Sequence, residues 1–176
     1  MINTDPTITI GFTGHRPSSL PWKYDENASS CDEFKKDLYS ILEKAIQCGW
    51  TSFITGMAIG FDTIAAETVL SLKKKYKNVK LYGAIPHPGQ EERWSDSDKS
   101  RYHKIMKKLD DYEICSDSYV GAETMYKRNR FIVDNSSVIV ALWNGNPRSG
   151  TSNTINYAKK QGRKVRLINP NDYVNK

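Results

Sequence analysis

Short runs rich in β-branched and aromatic residues alternate along this chain with longer segments whose apolar residues recur at helical spacing. Strands are predicted at residues 7–12, 51–55, 79–85, 112–115, 137–143 and 164–168. Helices are predicted at residues 32–48, 61–72, 102–109, 122–134 and 151–161. Strands that alternate with helices of about 10–15 residues indicate a parallel sheet joined by right-handed crossovers. We therefore expect an α/β fold with three layers, α/β/α, around a mostly parallel central sheet.

The composition is that of an ordinary globular domain. The chain has 176 residues, a formal net charge of +6 and no repeat or low-complexity break, so we expect a single domain over residues 1–176. No apolar run approaches the ~20 residues that a membrane-spanning helix needs. Residues 1–6 also lack the basic and apolar pattern of a secretory signal. These observations predict a cytoplasmic protein with no membrane partner.

Neither the cysteines nor the histidines indicate a disulfide or a metal site. Cys31, Cys48 and Cys115 are odd in number and widely spaced, and each is expected to be a reduced, partly buried thiol. The three histidines share no metal-ligating spacing. We therefore expect no bound metal and no resident metal cofactor.

Glycines, hydroxyl groups and basic side chains follow three of the predicted strands, at residues 11–17, 55–62 and 143–152. In parallel α/β sheets, ligands bind beyond the carboxyl ends of the strands, where glycines and helix amino ends present backbone N–H groups to anions. A single junction of this kind is explained as well by a tight turn. Three such junctions at one edge of the sheet favour a pocket for a phosphate-bearing ligand. Neither a GxGxxG fingerprint nor a GxxxxGK[ST] P-loop occurs in the sequence.

Two charged residues at these junctions have more than one interpretation. Arg16 can form two parallel hydrogen bonds to a phosphate or carboxylate, or it can lie on the surface against Trp22 or Pro17. Asp62 falls just inside a predicted helix. There it can complement the helix dipole, accept a hydrogen bond from a ribose hydroxyl or clasp the preceding glycine turn. The sequence leaves these alternatives open.

Ordered motifs over residues 8–168 carry a resemblance to a known family. They are Gly11–Arg16; Thr55–Asp62 with Ala65-Ala66-Glu67; Ile85-Pro86 with Gln90 and Trp94; Arg128-Asn129 with Val133-Asp134; and Trp143-Asn144 with Gly150-Thr151. On these motifs the sequence resembles the YpsA-like family of the SLOG superfamily, which includes the DprA/Smf and LOG proteins. The resemblance implies a Rossmann-like sheet. It also implies the sensing or sequestration of a nucleotide-derived small molecule, such as an ADP-ribose-like compound.

The strand ends and the family motifs together predict one ligand site. In this interpretation glycines, hydroxyls and Arg16 hold phosphate or ribose oxygens, and Asp62 orients a sugar hydroxyl. The predicted ligand-binding residues are Gly11, Thr13, Gly14, His15, Arg16, Thr55, Gly56, Gly60, Asp62, Pro86, Arg128, Asn129, Trp143, Gly150, Thr151 and Ser152. A nucleotide-derived ligand is thus the expected partner, and no other cofactor is indicated.

A nucleotide-processing enzyme that acts on the N-glycosidic bond is the first alternative. LOG phosphoribohydrolases carry PGGxGTxxE, and the matching segment here, residues 147–154, keeps Gly150-Thr151 but has Thr154 where the glutamate would stand. A hydroxyl does not act as a general base near neutral pH without an activating partner. Asp62 and Glu67 are therefore the candidate catalytic carboxylates.

A DprA-like single-stranded DNA binder is the second alternative. Lysines cluster at residues 73–77 and 104–108, at helix ends or on helix faces. These clusters lack the aromatic interleaving of a stacking platform, so nucleic acid is disfavoured as a partner. We also expect a homo-oligomer, with Tyr119, Met125 and Tyr126 either at its interface or buried in the core of the monomer.

Overall fold

A computed structural model describes residues 2–174 and gives each predicted strand and helix a counterpart. The strands are β1 (Thr9–Gly14), β2 (Ser52–Thr55), β3 (Lys80–Ile85), β4 (Asp111–Ile114), β5 (Val138–Leu142) and β6 (Lys164–Ile168). The helices are α1 (Ser29–Gln47), α2 (Phe61–Lys75), α3 (Asp96–Met106), α4 (Ala122–Asp134) and α5 (Gly150–Lys160). Met1, Asn175 and Lys176, which the predicted domain includes, lie outside the described residues.

Three elements, α1, β1 and α3, begin two or more residues away from the start that their apolar patterns predict. α1 starts at Ser29 rather than at residue 32. β1 starts at Thr9 because residues 6–8 form a 3₁₀ turn, in which the Asp5 side chain accepts a hydrogen bond from the Thr7 N–H at 2.9 Å. α3 starts at Asp96 rather than at residue 102, since Ser95 caps it by accepting from the Asp98 N–H at 3.2 Å. The first turn of α3 is polar, so apolar spacing alone does not reveal it.

The six strands form one sheet in the order β4-β3-β2-β1-β5-β6, and every neighbouring pair is parallel. The chain proceeds outward from β1 to β4 and then returns to place β5 on the other side of β1. The strand order therefore reverses between β1 and β5, which is where open parallel sheets form their ligand crevices. The predicted α/β/α class is confirmed, and the sheet is parallel throughout.

Two apolar cores lie on the two faces of the sheet. Phe12 and Phe53 belong to the core shared with α1, α2 and α3, and their rings stack with centroids 6.0 Å apart. Ile54 and Ile139 belong to the core shared with α4 and α5. The alternation of Phe53 and Ile54 between the cores follows from the two-residue period of a strand. Within residues 2–174, no helix has the length and apolar character needed to span a membrane.

The cysteine prediction is wrong at one position. Cys48 forms the carboxyl cap of α1 and is exposed, whereas Cys31 is buried and Cys115 is partly buried. The residue follows the last apolar position of its helix and so lies beyond the packed face. Burial raises the pKa of the Cys31 thiol to about 11.

Candidate functional site

A cleft of about 370 Å³ opens at the carboxyl end of β1, beside the reversal of strand order. We call it the switch-point cleft. Its lining residues are Phe12, Thr13, Gly14, His15, Arg16, Ser18, Ser19, Ala58, Asp62, Met125, Arg128, Asn129, Ser149, Gly150 and Thr151. The segments that follow β1, β2 and β5 all contribute residues to the lining of the cleft. The structure therefore brings together parts of the three junctions that the sequence singles out, and it adds residues of α4.

A buried ion pair lies at the cleft and connects the two helical layers. Arg128 projects from α4 and Asp62 from α2, and their side chains are only 8% and 9% exposed. Arg128 Nη1 lies 3.6 Å from Asp62 Oδ2 and donates a hydrogen bond to the Gly56 carbonyl. Arg128 Nε donates to Asn129 Oδ1 at 2.8 Å. The guanidinium is thus held by two neutral hydrogen-bond acceptors, and Asp62 supplies the opposite charge.

The structure shows Asp62 in one of its three predicted roles, the clasp on the turn before α2, and the contact with a ribose hydroxyl stays a prediction. Its Oδ2 accepts a hydrogen bond from the Ala58 N–H at 3.3 Å, so the carboxylate clasps the turn between β2 and α2. Burial raises the pKa of the Asp62 carboxyl, while Arg128, the Ala58 N–H and Arg16 act in the opposite direction. Burial likewise lowers the pKa of Arg128, and Asp62 opposes that effect. Asp62 therefore lines the cleft as the partner of Arg128 in a buried ion pair.

The first turn of α5 supplies backbone donors to the cleft. Ser149 caps the helix by accepting from the Ser152 N–H at 3.1 Å, and the Thr154 hydroxyl donates to the Gly150 carbonyl at 3.0 Å. Gly150 and Thr151 lie in the first turn of α5, where no helical carbonyl stands four residues earlier to accept from their N–H groups. Such N–H groups, together with the helix dipole, favour an anion at this position.

His15 connects the ends of β1 and β5 at the side of the cleft. Its Nε2 lies 2.8 Å from Asn144 Oδ1 and 3.1 Å from the Asn144 backbone N. The side chain is buried, and burial lowers the pKa of His15, with the Asn144 contact acting in the opposite direction. His15 is therefore favoured as a neutral imidazole. Arg16, the next residue, is an exposed cation that lines the cleft.

Two of the glycines predicted to bind ligand, Gly11 and Gly60, are instead required by close packing. A Cβ at Gly11 would lie 2.5 Å from the Ile132 side chain, so this glycine lets α4 pack against β1 rather than lining the cleft. Gly60 has a φ of 97°, and a Cβ there would lie 2.8 Å from the His15 carbonyl oxygen. The Phe61 N–H donates to that carbonyl at 3.3 Å. Gly60 therefore keeps the first two junctions in contact.

Several other predicted site residues also lie outside the lining of the cleft. They are Thr55, Gly56, Pro86, Trp143 and Ser152. The Thr55 hydroxyl donates to the Asp62 carbonyl at 3.0 Å, and the Trp143 indole donates to the Asn146 carbonyl at 2.9 Å. These contacts shape the junction loops.

The predicted catalytic carboxylate Glu67 is engaged elsewhere. Both of its oxygens accept from Arg101, at 2.8 and 2.7 Å, and Arg101 also binds Glu26. Glu67 lines the groove between α2 and α3, away from the residues of the switch-point cleft. Among residues 2–174, no three His, Cys, Asp or Glu side chains are grouped so that they could hold a metal ion.

Sequence reasoning missed six lining residues, among them Ser18, Ser19 and Met125. Ser18 and Ser19 belong to a 3₁₀ turn after Arg16, and Met125 lies one helical turn before Arg128. Ser149 was detectable, since a serine directly before the first helical residue is a common amino-terminal cap. No local pattern distinguishes Met125 from any other partly buried helix residue.

The fold and the cleft define a Rossmann-like α/β domain with an anion-favouring crevice at its topological switch point. Comparison with known proteins specifies the family. The YpsA model, described as "YspA SLOG family", matches residues 10–173, and the chain belongs to this family. The resemblance inferred from the motifs is thereby confirmed.

Relatives of known sequence and structure agree with this assignment. The SPbeta prophage-derived protein YoqJ of Bacillus subtilis is 34% identical over 140 residues, which cover 73% of this chain and 81% of YoqJ. A UPF0398 protein of Halalkalibacterium halodurans is 25% identical over 144 residues, covering 79% of this chain and 74% of the relative.

Two solved structures share the fold at low sequence identity. The DNA processing protein A (DprA) of Streptococcus pneumoniae aligns with a TM-score of 0.60 and 17% identity over 90% of this chain. DprA of Helicobacter pylori, described in its single-stranded DNA binding mode, aligns with a TM-score of 0.57 and 16% identity over 93% of this chain. The alignments span 49% and 65% of the two DprA chains.

Proposed function

We propose that this chain binds a nucleotide-derived small molecule in the switch-point cleft, with an ADP-ribose-like compound as the specific candidate. The observation that carries the proposal is the convergence of three strand–helix junctions on one cleft of about 370 Å³. Membership in a SLOG family and the fold shared with DprA support a nucleotide-related ligand at this level. Such binding would serve to sense or sequester the metabolite.

The distribution of charge supports an anionic guest. Asp62 and Arg128 neutralise each other, so the buried carboxylate does not give the cleft a net negative charge. The exposed Arg16 lines the cleft together with Gly150 and Thr151, whose N–H groups belong to the first turn of α5. Together they offer charge-assisted hydrogen bonds to phosphate oxygens.

Calorimetric titration with ADP-ribose, NAD and AMP tests this proposal. At least one of the three should bind, and Arg16→Ala should weaken that binding roughly 10–100-fold, because hydrogen bonds to charged groups contribute about 1.5–3 kcal/mol. Arg93→Ala is the matched control, since Arg93 is exposed and lies outside the cleft. Absence of binding by all three compounds, or equal losses in the two variants, would contradict the proposal.

Single-stranded nucleic acid is a second candidate ligand, favoured by a separate basic groove. This groove of about 650 Å³ lies between α2 and α3 and is lined by Lys73, Lys74, Lys77, Lys104 and Lys108. Asp110 neutralises Lys73, and the residues that line the groove include no aromatic side chain on which a base could stack. Binding here would therefore depend mainly on phosphate contacts.

Fluorescence anisotropy with a labelled oligothymidylate tests the second candidate. Binding through the groove should weaken steeply with salt. The double variant Lys104→Glu/Lys108→Glu should abolish it, whereas Lys159→Glu/Lys160→Glu on α5 makes the same charge change elsewhere. A flat salt response, or equal losses in both double variants, would exclude this groove as a nucleic-acid site.

A further inference from the structure

A second cavity, of about 320 Å³, lies between α4 and α5. We call it the interhelical pocket. It is lined by Tyr126, Asn129, Arg130, Asn153, Thr154 and Tyr157. Two aromatic rings and two primary amides are therefore presented to one space. This combination suits a planar heteroaromatic ring, which stacks on aromatic side chains and forms hydrogen bonds at its edge.

Asn129 belongs both to this pocket and to the switch-point cleft. The two cavities follow the same pair of helices. Met125 and Arg128 of α4 line the cleft, and their neighbours on that helix line the pocket. Likewise, Thr151 lines the cleft and Asn153 the pocket. A ligand that extends along the groove from the amino end of α5 would therefore pass Asn129.

The Asn129 amide is oriented toward such a ligand. Its Oδ1 accepts from Arg128 Nε at 2.8 Å, and Arg128 is itself held by Gly56 and Asp62. No hydrogen bond occupies the Asn129 Nδ2 group among residues 2–174, so its two N–H donors are available where the cavities meet. The hydrogen bond from Arg128 thus holds the Asn129 amide in place in the ligand-free protein.

The two tyrosine rings are held in place by their hydroxyl groups. The Tyr157 hydroxyl donates to Asp134 Oδ1 at 3.0 Å, and the Tyr126 hydroxyl accepts from Asn153 Nδ2 at 3.3 Å. Both tyrosines are partly buried, so each ring retains an accessible part. Rings that are already positioned lose little conformational entropy when a base stacks on them.

We infer that the interhelical pocket is the nucleobase subsite of the nucleotide-binding site. This inference rests on the proposed function, since it assigns the phosphate and ribose part of the ligand to the switch-point cleft and the base to the pocket between α4 and α5. Tyr126 and Tyr157 supply the apolar contact, and Asn129 donates a hydrogen bond where the base joins the sugar. The site then selects a nucleotide over a bare sugar phosphate.

Titration of the unaltered protein with AMP, UMP and ribose 5-phosphate gives the first test. AMP or UMP should bind at least roughly tenfold more tightly than ribose 5-phosphate, as expected for one base stacked on an aromatic side chain. Equal affinities would overturn the subsite and leave the proposed function standing. Failure of AMP, UMP, ribose 5-phosphate and ADP-ribose to bind at all would overturn both.

Variants of the pocket give the second test. Tyr126→Ala and Tyr157→Ala should each weaken nucleotide binding roughly tenfold and leave ribose 5-phosphate binding unchanged. Tyr157→Phe keeps the ring and removes only the hydroxyl bonded to Asp134, so it should retain the nucleotide affinity. Circular dichroism melting establishes that each variant is folded. Equal losses of affinity for nucleotide and ribose 5-phosphate, or no loss of affinity for either, would overturn the subsite. If an alanine variant does not fold, the relative affinities of the unaltered protein for AMP, UMP and ribose 5-phosphate test the subsite instead.

Discussion

Replacement of Arg128 by methionine is the most informative test of how this site is built. Methionine has a similar length and apolar stem but carries no charge. The substitution therefore leaves Asp62 as a buried carboxylate with the Ala58 N–H as its remaining hydrogen-bond donor. It also removes the donor that binds the Gly56 carbonyl. The perturbation is thus confined to one polar cluster between α2 and α4.

The expected decrease in the free energy of unfolding is large for a single substitution. Removal of one partner of a buried ion pair destabilises a protein by about 3–5 kcal/mol, because the other charge stays buried without compensation. Asp62→Asn in the same chain removes that charge and keeps an acceptor for the Ala58 N–H. The double variant should therefore recover about 2 kcal/mol of the loss relative to Arg128→Met alone.

The loss of stability caused by Arg128→Met should also depend on pH. Burial raises the pKa of Asp62 above its value in the unfolded chain, and removal of Arg128 increases this effect. A carboxyl with a raised folded-state pKa favours folding at low pH and disfavours it as the pH rises above about 4. The variant should therefore be less stable relative to the unaltered protein at pH 8 than at pH 5.

Urea denaturation of the variants at both pH values measures these quantities. Lys127→Met, on the exposed face of the same helix, is the matched control and should change stability by less than about 0.5 kcal/mol. The reasoning would be refuted if Arg128→Met were as stable as this control. It would also be refuted if Asp62→Asn and Arg128→Met destabilised the double variant by the sum of their separate effects.

Three further substitutions or measurements address neighbouring features. In urea denaturation, Gly14→Ala should lower the free energy of unfolding by about 1–3 kcal/mol, because its Cβ would lie 2.4 Å from the buried Phe61 ring. Gly150→Ala, whose Cβ would have no atom within 4 Å, should lower it by less than about 0.5 kcal/mol. Since burial lowers the pKa of His15, stability should fall as the pH drops below about 6.5. His15→Gln should reduce this loss of stability at low pH. A variant with the same dependence of stability on pH as the unaltered protein would contradict the prediction. Ellman's reagent should modify the exposed Cys48 rapidly in the folded protein and Cys31 only after unfolding.

The order and type of the elements were predictable from the sequence because both depend on neighbouring residues. Apolar spacing over a few positions identified each strand and α-helix of residues 2–174, but it misplaced some starts, such as the 3₁₀ turn before β1 and the polar first turn of α3. The glycine- and hydroxyl-rich ends of β1 and β5 were visible for the same reason. A parallel sheet then places such ends at one edge, so the location of the candidate site could also be predicted.

The membership and chemistry of the site were decided only by the tertiary structure. Arg128 lies 72 residues from the Gly56 carbonyl that it binds, and nothing local to either residue specifies their contact. The return of the chain to place β5 beside β1 brings α4 over the sheet, where it meets Gly11 and reaches Asp62. Glu67 belongs instead to an ion pair with Arg101. The apolar periodicity of a helix or strand indicates which of its faces is buried. The crossover connections of the chain determine which other residues that face contacts.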